Sequence, residues 1–168
     1  NALDIYDFLK EEKKKANTVL NIGQVHLQQI NYNIALDFFN RAKAIAITTN
    51  NPQSQMLAEN NIGVVYFDQK QYALAIPYFE KTQELAKANN NTNMYLQSCN
   101  NLGTCNESLG EFAKAEMYYK RAEAELIKGN NYESILVNYI NQASLAGRQN
   151  KLNDCLAFCD KCFFYLNN

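Results

Sequence analysis

Small and aromatic residues recur along this 168-residue chain every 40 positions, and that period limits what the chain can fold into more than any other feature. Tyr32, Ala35 and Phe39 return as Tyr72, Ala75 and Phe79, again as Phe112, Ala115 and Tyr119, and in altered form as Leu152, Cys155 and Cys159. A second mark keeps the same spacing: Ile22-Gly23, Ile62-Gly63, Leu102-Gly103 and the weaker Gln142-Ala143. Two independent marks on one period are hard to obtain by chance, so the unit of folding is a repeat.

Each unit reads as two helices, because apolar residues recur at intervals of three and four while Gly, Pro and Asn collect between them. First helices are expected near 16–29, 54–69, 94–109 and 134–148, and second helices near 32–48, 72–88, 112–128 and 152–166. Asn50-Asn51, Asn90-Asn91 and Asn130-Asn131 stand at the junctions between repeats. There one Asn can take the left-handed conformation that ends a helix and the other can begin or cap the next. The small residues Gly23, Gly63, Gly103 and Ala143 let each first helix approach its partner closely, with Ala35, Ala75 and Ala115 returning the contact. Phe39, Phe79 and Tyr119 then fill the space between repeats, burial that contributes roughly 1.5–3 kcal/mol per large side chain.

The expected architecture is therefore all-α, a right-handed superhelical solenoid of antiparallel helix pairs. Its expected divisions are 16–55, 56–95, 96–135 and an atypical 136–168. Residues 1–15 are expected to end a preceding repeat, because residues 1–6 align with 41–46, so the chain is expected to be a piece of a longer protein. The last helix, with Cys155, Leu156, Cys159, Cys162, Phe163 and Leu166, is apolar with no polar capping helix after it, which leaves an end for further chain or for self-association.

Composition excludes several functions. Sixteen basic residues balance seventeen acidic ones, and a pI near 5.9 leaves no broad positive face for nucleic acid. No apolar run approaches the roughly 18–20 residues needed to span a bilayer, so no membrane is expected as partner. Five cysteines without a paired framework suit a reducing compartment, and the cytoplasm is the expected location.

Catalysis has little support. His26 is the sole histidine and stands where the second repeat has Tyr66, a packed or partly exposed helix position. There is no phosphate-cradling glycine loop and no nucleophile-base motif. Cys159 and Cys162 have a metal-ligand spacing, but the register puts Cys155, Cys159 and Cys162 at small or core positions, and no second ligand pair accompanies them. Cys99 and Cys105 read as packed thiols, and Lys13, Lys14 and Lys15 as a solvated run near a helix junction. The chain is expected to be no enzyme, with no cofactor and no metal.

These landmarks resemble the tetratricopeptide repeat family, whose unit has small residues where this chain has Gly23, Ala35 and Ala42 and aromatics where it has Tyr32 and Phe39. The 40-residue spacing, against the family's usual ~34, resembles its long-repeat subclass. That subclass includes Rap-type phosphatases and peptide-pheromone receptors, kinesin light chains, Pins/LGN adaptors and bacterial sensor arrays. The fourth repeat departs from the pattern, with cysteines at two landmarks and Gln142 in place of an aliphatic residue.

The resemblance implies that first helices line a concave face. One stripe down each gives Asn17, Asn21, Gln24 and Gln28, then Leu57, Asn61, Val64 and Asp68. It continues with Gln97, Asn101, Thr104 and Ser108, then Val137, Asn141, Ser144 and Arg148. One column is the same residue each time: Asn21, Asn61, Asn101 and Asn141. An Asn amide offers a donor and an acceptor together, matching the C=O and N–H of an extended backbone without selecting a side chain. The resemblance implies that such ladders grip peptides; the alternative is that these amides only tie neighbouring helices together.

At about 0.5–1.5 kcal/mol net per hydrogen bond, four amides cannot offset the ordering of a flexible peptide. Leu57, Val64 and Val137 are therefore expected to add apolar contacts, and Asp68 and Arg148 to read charge. The Lys and Arg that clamp acidic chaperone tails in this family are absent here, where Asn60, Asn61, Asn100 and Asn101 stand. The expected function is a protein-protein interaction module that takes an extended peptide or protein segment. Its alternatives are a peptide-responsive regulatory arm of a bacterial signalling protein or transcriptional regulator, and an architectural scaffold.

Overall fold

A computed structural model describes residues 2–129 and 132–166 of the chain. Its helices are α1 (Ala2–Gln28), α2 (Tyr32–Thr48), α3 (Pro52–Asp68), α4 (Tyr72–Ala88), α5 (Thr92–Ser108), α6 (Phe112–Gly129), α7 (Tyr132–Arg148) and α8 (Leu152–Leu166). No strand is present among the described residues. Three-residue turns at 29–31, 69–71, 109–111 and 149–151 fold the helices into antiparallel hairpins. The hairpins fall into two compact units, α1–α4 and α5–α8. No described helix is long and apolar enough to cross a membrane.

The helix ends explain why the period extends into the loops. Ile30, Asn50, Lys70, Asn90, Gly110 and Asn150 all have positive φ, between 47° and 81°. The next residue's N–H returns to a carbonyl five positions back, as in Asn31 to His26 at 2.9 Å, Asn51 to Ala46 at 2.8 Å and Lys151 to Ala146 at 2.9 Å. This left-handed closure satisfies carbonyls that the helix leaves unpaired. The expected left-handed asparagines are thus Asn50 and Asn90, while Asn130 and Asn131 lie outside the described residues. Asn51 caps α3 by accepting from the Ser54 N–H at 3.2 Å, and Pro52 opens the helix. First helices therefore begin at 52, 92 and 132, two residues before the expected starts.

α1 corrects the expectation for the first residues. A junction was expected near Lys13–Lys15, but one helix runs unbroken from Ala2 to Gln28. Residues 6–16 contain no Gly, Pro or Asn to stop it, and Lys, Glu and Leu favour its continuation. Lys14 and Lys15 are exposed on this helix and pair with Glu11 and Glu12 one turn earlier; the Lys13 side chain lies outside the described residues.

Within the first unit α3 packs on both α1 and α2, and within the second α7 packs on both α5 and α6. Buried Leu20, Phe39, Ala42, Ile62 and Val65 share one core in the first unit. Leu96, Cys99, Leu126, Ile135 and Tyr139 form one in the second, beside Ala115, Tyr119 and Leu145. Cys105 is fully buried, and burial pushes its thiol up to about 12.

The glycine and aromatic marks turn out to be one device. A Cβ added to Gly63 would stand 2.7 Å from Cε1 of Phe79, and one added to Gly23 would stand 2.6 Å from Cε1 of Phe39. Gly103 meets the Tyr119 ring in the same way. The rings lie against the glycines of their own hairpins, where the periodicity had suggested that they fill the space between repeats. In the fourth hairpin, where Ala143 replaces Gly, the ring position is the smaller Cys159.

A helix ordinarily gains about 1 kcal/mol when Gly becomes Ala. For Gly63→Ala the opposite sign is expected, because the Phe79 ring is 1% exposed and has nowhere to retreat. Overpacking of this kind costs about 1–3 kcal/mol, so a net loss of roughly 1 kcal/mol should lower the urea midpoint. A raised midpoint would mean that the ring gives way.

The fourth hairpin also corrects the expectation for the cysteines. Cys155, Cys159 and Cys162 are half-buried, Cys162 at the edge of the core that holds Leu96 and Tyr139, because α8 lies mainly on α7 and no described residue of α8 is buried. Leu152, Leu156, Phe163, Phe164 and Leu166 of that helix are each more than half exposed.

Candidate functional site

The site is built from the outward residues of the first helices, taken unit by unit. In the first unit the 3.6-residue helical period turns Leu20 and Leu27 of α1 to the core and leaves Asn17, Asn21, Gln24 and Gln28 exposed. On α3, Leu57 and Val64 are half-buried against the core cluster, Asn61 is half-buried and Asp68 is exposed. Asn17 is partly committed to the fold: its Oδ1 accepts from the Ser54 hydroxyl at 2.9 Å, tying α1 to α3. Asp68 ends α3, and partial desolvation raises its carboxyl above the usual range.

In the second unit Gln97 of α5 is exposed and Asn101 and Ser108 are half-buried, while on α7 Val137 is exposed and Asn141 half-buried. Thr104 is turned partly toward α6. Its hydroxyl donates to the Asn100 carbonyl at 3.0 Å and lies 3.2 Å from the Tyr119 hydroxyl. Ser144 and Arg148 converge on Glu107. The Ser144 hydroxyl donates to Oε1 at 3.0 Å, and the Arg148 guanidinium stands 3.5 Å from the same oxygen with Phe112 beneath it.

None of Asn21, Asn61, Asn101 and Asn141 is buried. The buried side of the same helices takes up other amides: Asn60 is 5% exposed and Asn138 1%. Asn60 and Asn138 are thus taken up by the interior, and the four asparagines of the column are not.

Glu107 went unnoticed in the sequence. It is a buried carboxylate, 6% exposed, and Oε2 accepts from the Tyr119 hydroxyl at 2.9 Å. Burial raises the Tyr119 phenol well above its ordinary range, and the Glu107 charge adds to that, so Tyr119 stays a donor. The signal was present: the same column reads Leu27, Phe67, Glu107 and Gly147, an acid among apolar and small residues.

The departure at Gln142 has a similar cause. Its amide donates to Asn138 Oδ1 at 2.7 Å and to Glu123 Oε2 at 3.0 Å, while Asn138 donates to Asn100 Oδ1 at 3.1 Å and to the Tyr119 carbonyl at 3.1 Å. Lys161 reaches the other Glu123 oxygen at 3.2 Å. Burial works to raise the Glu123 carboxyl, but the hydrogen bonds from Gln142 and Lys161 outweigh it and hold it below the usual range. No described group of three or more His, Cys, Asp or Glu side chains is placed to hold a metal ion.

Comparison with known proteins gives the fold a context. Residues 54–126 match the family model of the tetratricopeptide repeat. No curated protein matches the chain. Aspartyl phosphate phosphatase F from Bacillus subtilis superimposes with a TM-score of 0.86 over 92% of this chain and 40% of its own length, at 20% identity. A Rap protein complexed with competence and sporulation factor gives 0.81 over 92% and 43%, at 18% identity. The TPR domain of Arabidopsis FLU gives 0.65 over 70% and 98%, at 21% identity. The chain therefore spans less than half the length of the first two structures, and what it shares with all three is their fold of paired helices.

Proposed function

We propose that this chain, which carries the tetratricopeptide repeat over residues 54–126, is a protein-interaction module whose first helices hold an extended peptide segment of a partner. The observation that carries the reading is the asparagine column. Asn21, Asn61, Asn101 and Asn141 recur on successive first helices, outside the cores, while neighbouring amides such as Asn60 and Asn138 are buried. Within each unit, two such amides on neighbouring first helices can offer a donor and an acceptor to a strand-like segment. Gln24, Gln28, Gln97 and Ser108 extend the polar contact, Leu57, Val64 and Val137 add apolar surface, and Asp68 and Arg148 select charge. Arg148 is held for this by Glu107 and Phe112.

Binding of the whole chain to an array of overlapping peptides tests the reading, with Asn61→Ala and Asn101→Ala compared against the unaltered protein. Each substitution removes hydrogen bonding worth about 0.5–1.5 kcal/mol, so affinity should fall about two- to tenfold per variant with folding unchanged. Equal binding by all three proteins rejects the ladder.

A second reading makes the array a peptide-responsive arm of a bacterial signalling protein. It is favoured by the Rap protein complexed with competence and sporulation factor, whose fold this chain shares over 92% of its residues. A DNA-binding, kinase or cyclase domain in the same reading frame would support it. The exposed apolar residues of α8 also offer a surface for self-association. Sedimentation across a range of concentrations tests that directly: Phe163→Asp should abolish any dimer, and a monomer at every concentration rejects it.

A further inference from the structure

The column through which a second helix meets the first helix after it changes its chemistry along the chain. Within the first unit Lys43 of α2 pairs with the buried Glu59 of α3 at 3.5 Å, and within the second Glu123 of α6 accepts from Gln142 of α7 at 3.0 Å. The same column places Phe163 on α8, where it is more than half exposed. Leu126 of α6 is buried with Ile135 and Tyr139 of α7, yet Leu166, its equivalent on α8, is again more than half exposed. On α7 itself, Ile140 repeats the column of Leu20, which shares a core with α3, and is exposed as well. The fourth hairpin thus turns to solvent the side that earlier hairpins turn to a neighbour.

The matching side stands on α1. Ile62 and Val65 of α3 are fully buried in the core that holds Ala42 of α2, and Leu145 of α7 is buried with Tyr119 of α6. Their equivalents Ile22 and Val25 on α1 are 39% and 50% exposed. The chemistry changes on both sides together. Charged Lys43 and Glu123 are answered by polar Glu59 and Gln142, whereas the equivalents of Glu59 and Gln142 on α1 are Val19 and Ile22. A phenyl ring set against a glutamate or glutamine would strip a polar group of water with no hydrogen bond in return. Set against Val19 and Ile22, it removes apolar surface from water on both partners.

We propose that copies of this chain join head to tail, α8 of one against α1 of the next, in the packing that α2 makes with α3. This contact rests on the reading of α8 as a self-association surface, and it names the surface that receives α8. Because the two surfaces differ, each dimer keeps one of each free, and association continues into rings or filaments.

Sedimentation of the unaltered chain across a range of concentrations should show dimers and larger species. Phe163→Asp and Val25→Asp should each weaken association about tenfold or more, through the loss of an apolar contact and the burial of a carboxylate. Mixed one to one, the two variants should form a dimer that grows no further, because each supplies the surface that the other has lost. If α8 pairs instead with α8, Val25→Asp associates as the unaltered chain does, which overturns the head-to-tail contact and leaves self-association standing. A monomer at every concentration overturns both. Should Val25→Asp fail to fold, methyl NMR of the unaltered chain decides. The signals of Ile22 and Val25 should move with concentration together with those of Leu166, and movement of Leu166 without them overturns the proposal.

Discussion

Phe79→Ala should lower the free energy of unfolding by about 3–5 kcal/mol, a loss matched in the first unit only by truncation of the equivalent Phe39. Phe79 is 1% exposed and its ring lies across Gly63, a residue with no side chain to move into the space. The lost transfer energy of a full aromatic ring is therefore joined by a cavity that the neighbouring helix cannot close by a rotamer change. Repeat arrays owe their stability to each hairpin and to the interface with its neighbour, and this ring supports the hairpin on which α3 packs against α1 and α2. Urea denaturation followed by far-UV circular dichroism measures the loss. Hydrogen exchange should find protection falling first in α3 and α4. A loss below about 1 kcal/mol would show that the hairpin relaxes around the truncation.

The second large effect is expected at Glu107, where truncation to Ala should cost about 3–5 kcal/mol. Removing this carboxylate strips the buried Tyr119 hydroxyl of its acceptor at 2.9 Å, takes away the acceptor of Ser144, and leaves Arg148 without its counter-charge. Thr104, 3.2 Å from the Tyr119 hydroxyl, can compensate only in part. Three elements, α5, α6 and α7, are joined through this one side chain, so the second unit should lose cooperativity as well as stability. Glu107→Gln separates shape from charge. Its amide oxygen still accepts from one of the two hydroxyls, and the other hydroxyl can turn to accept from the new N–H. What it loses is the ion pair with Arg148, which is 46% exposed, so its cost should be less than half that of Ala. Equal losses in the two variants would show that the negative charge, and not the hydrogen bonding, accounts for most of the effect.

Phe79 and Glu107 differ in how far the sequence reveals them. Phe79 is visible because it sits on the period beside Tyr72 and Ala75. Its partner in space is not: glycine and ring are 16 positions apart, and only their side-chain directions reveal that the absence of a Cβ at Gly63 makes room for the ring of its own hairpin. Glu107 is visible only as an acid in a column of Leu27, Phe67 and Gly147, and nothing in that column says which donors surround it. The long first helix shows the opposite failure. Alignment of residues 1–6 with 41–46 suggested a break, but alignment registers similarity and not termination, and no helix-stopping residue lies between residues 6 and 16.

The local chemistry of the chain was enough to determine the paired helices from Tyr32 onward, their turns and the repeat, because each follows from periodicity over distances of a few residues and from its recurrence. The tertiary structure alone decided which polar groups meet: Ser144 and Arg148 on Glu107, and Gln142 between Asn138 and Glu123. Such contacts join residues up to about 40 positions apart whose hydrogen bonds depend on distances of tenths of an ångström. A repeat period says that two helices will be neighbours, and only their packing says which atoms touch.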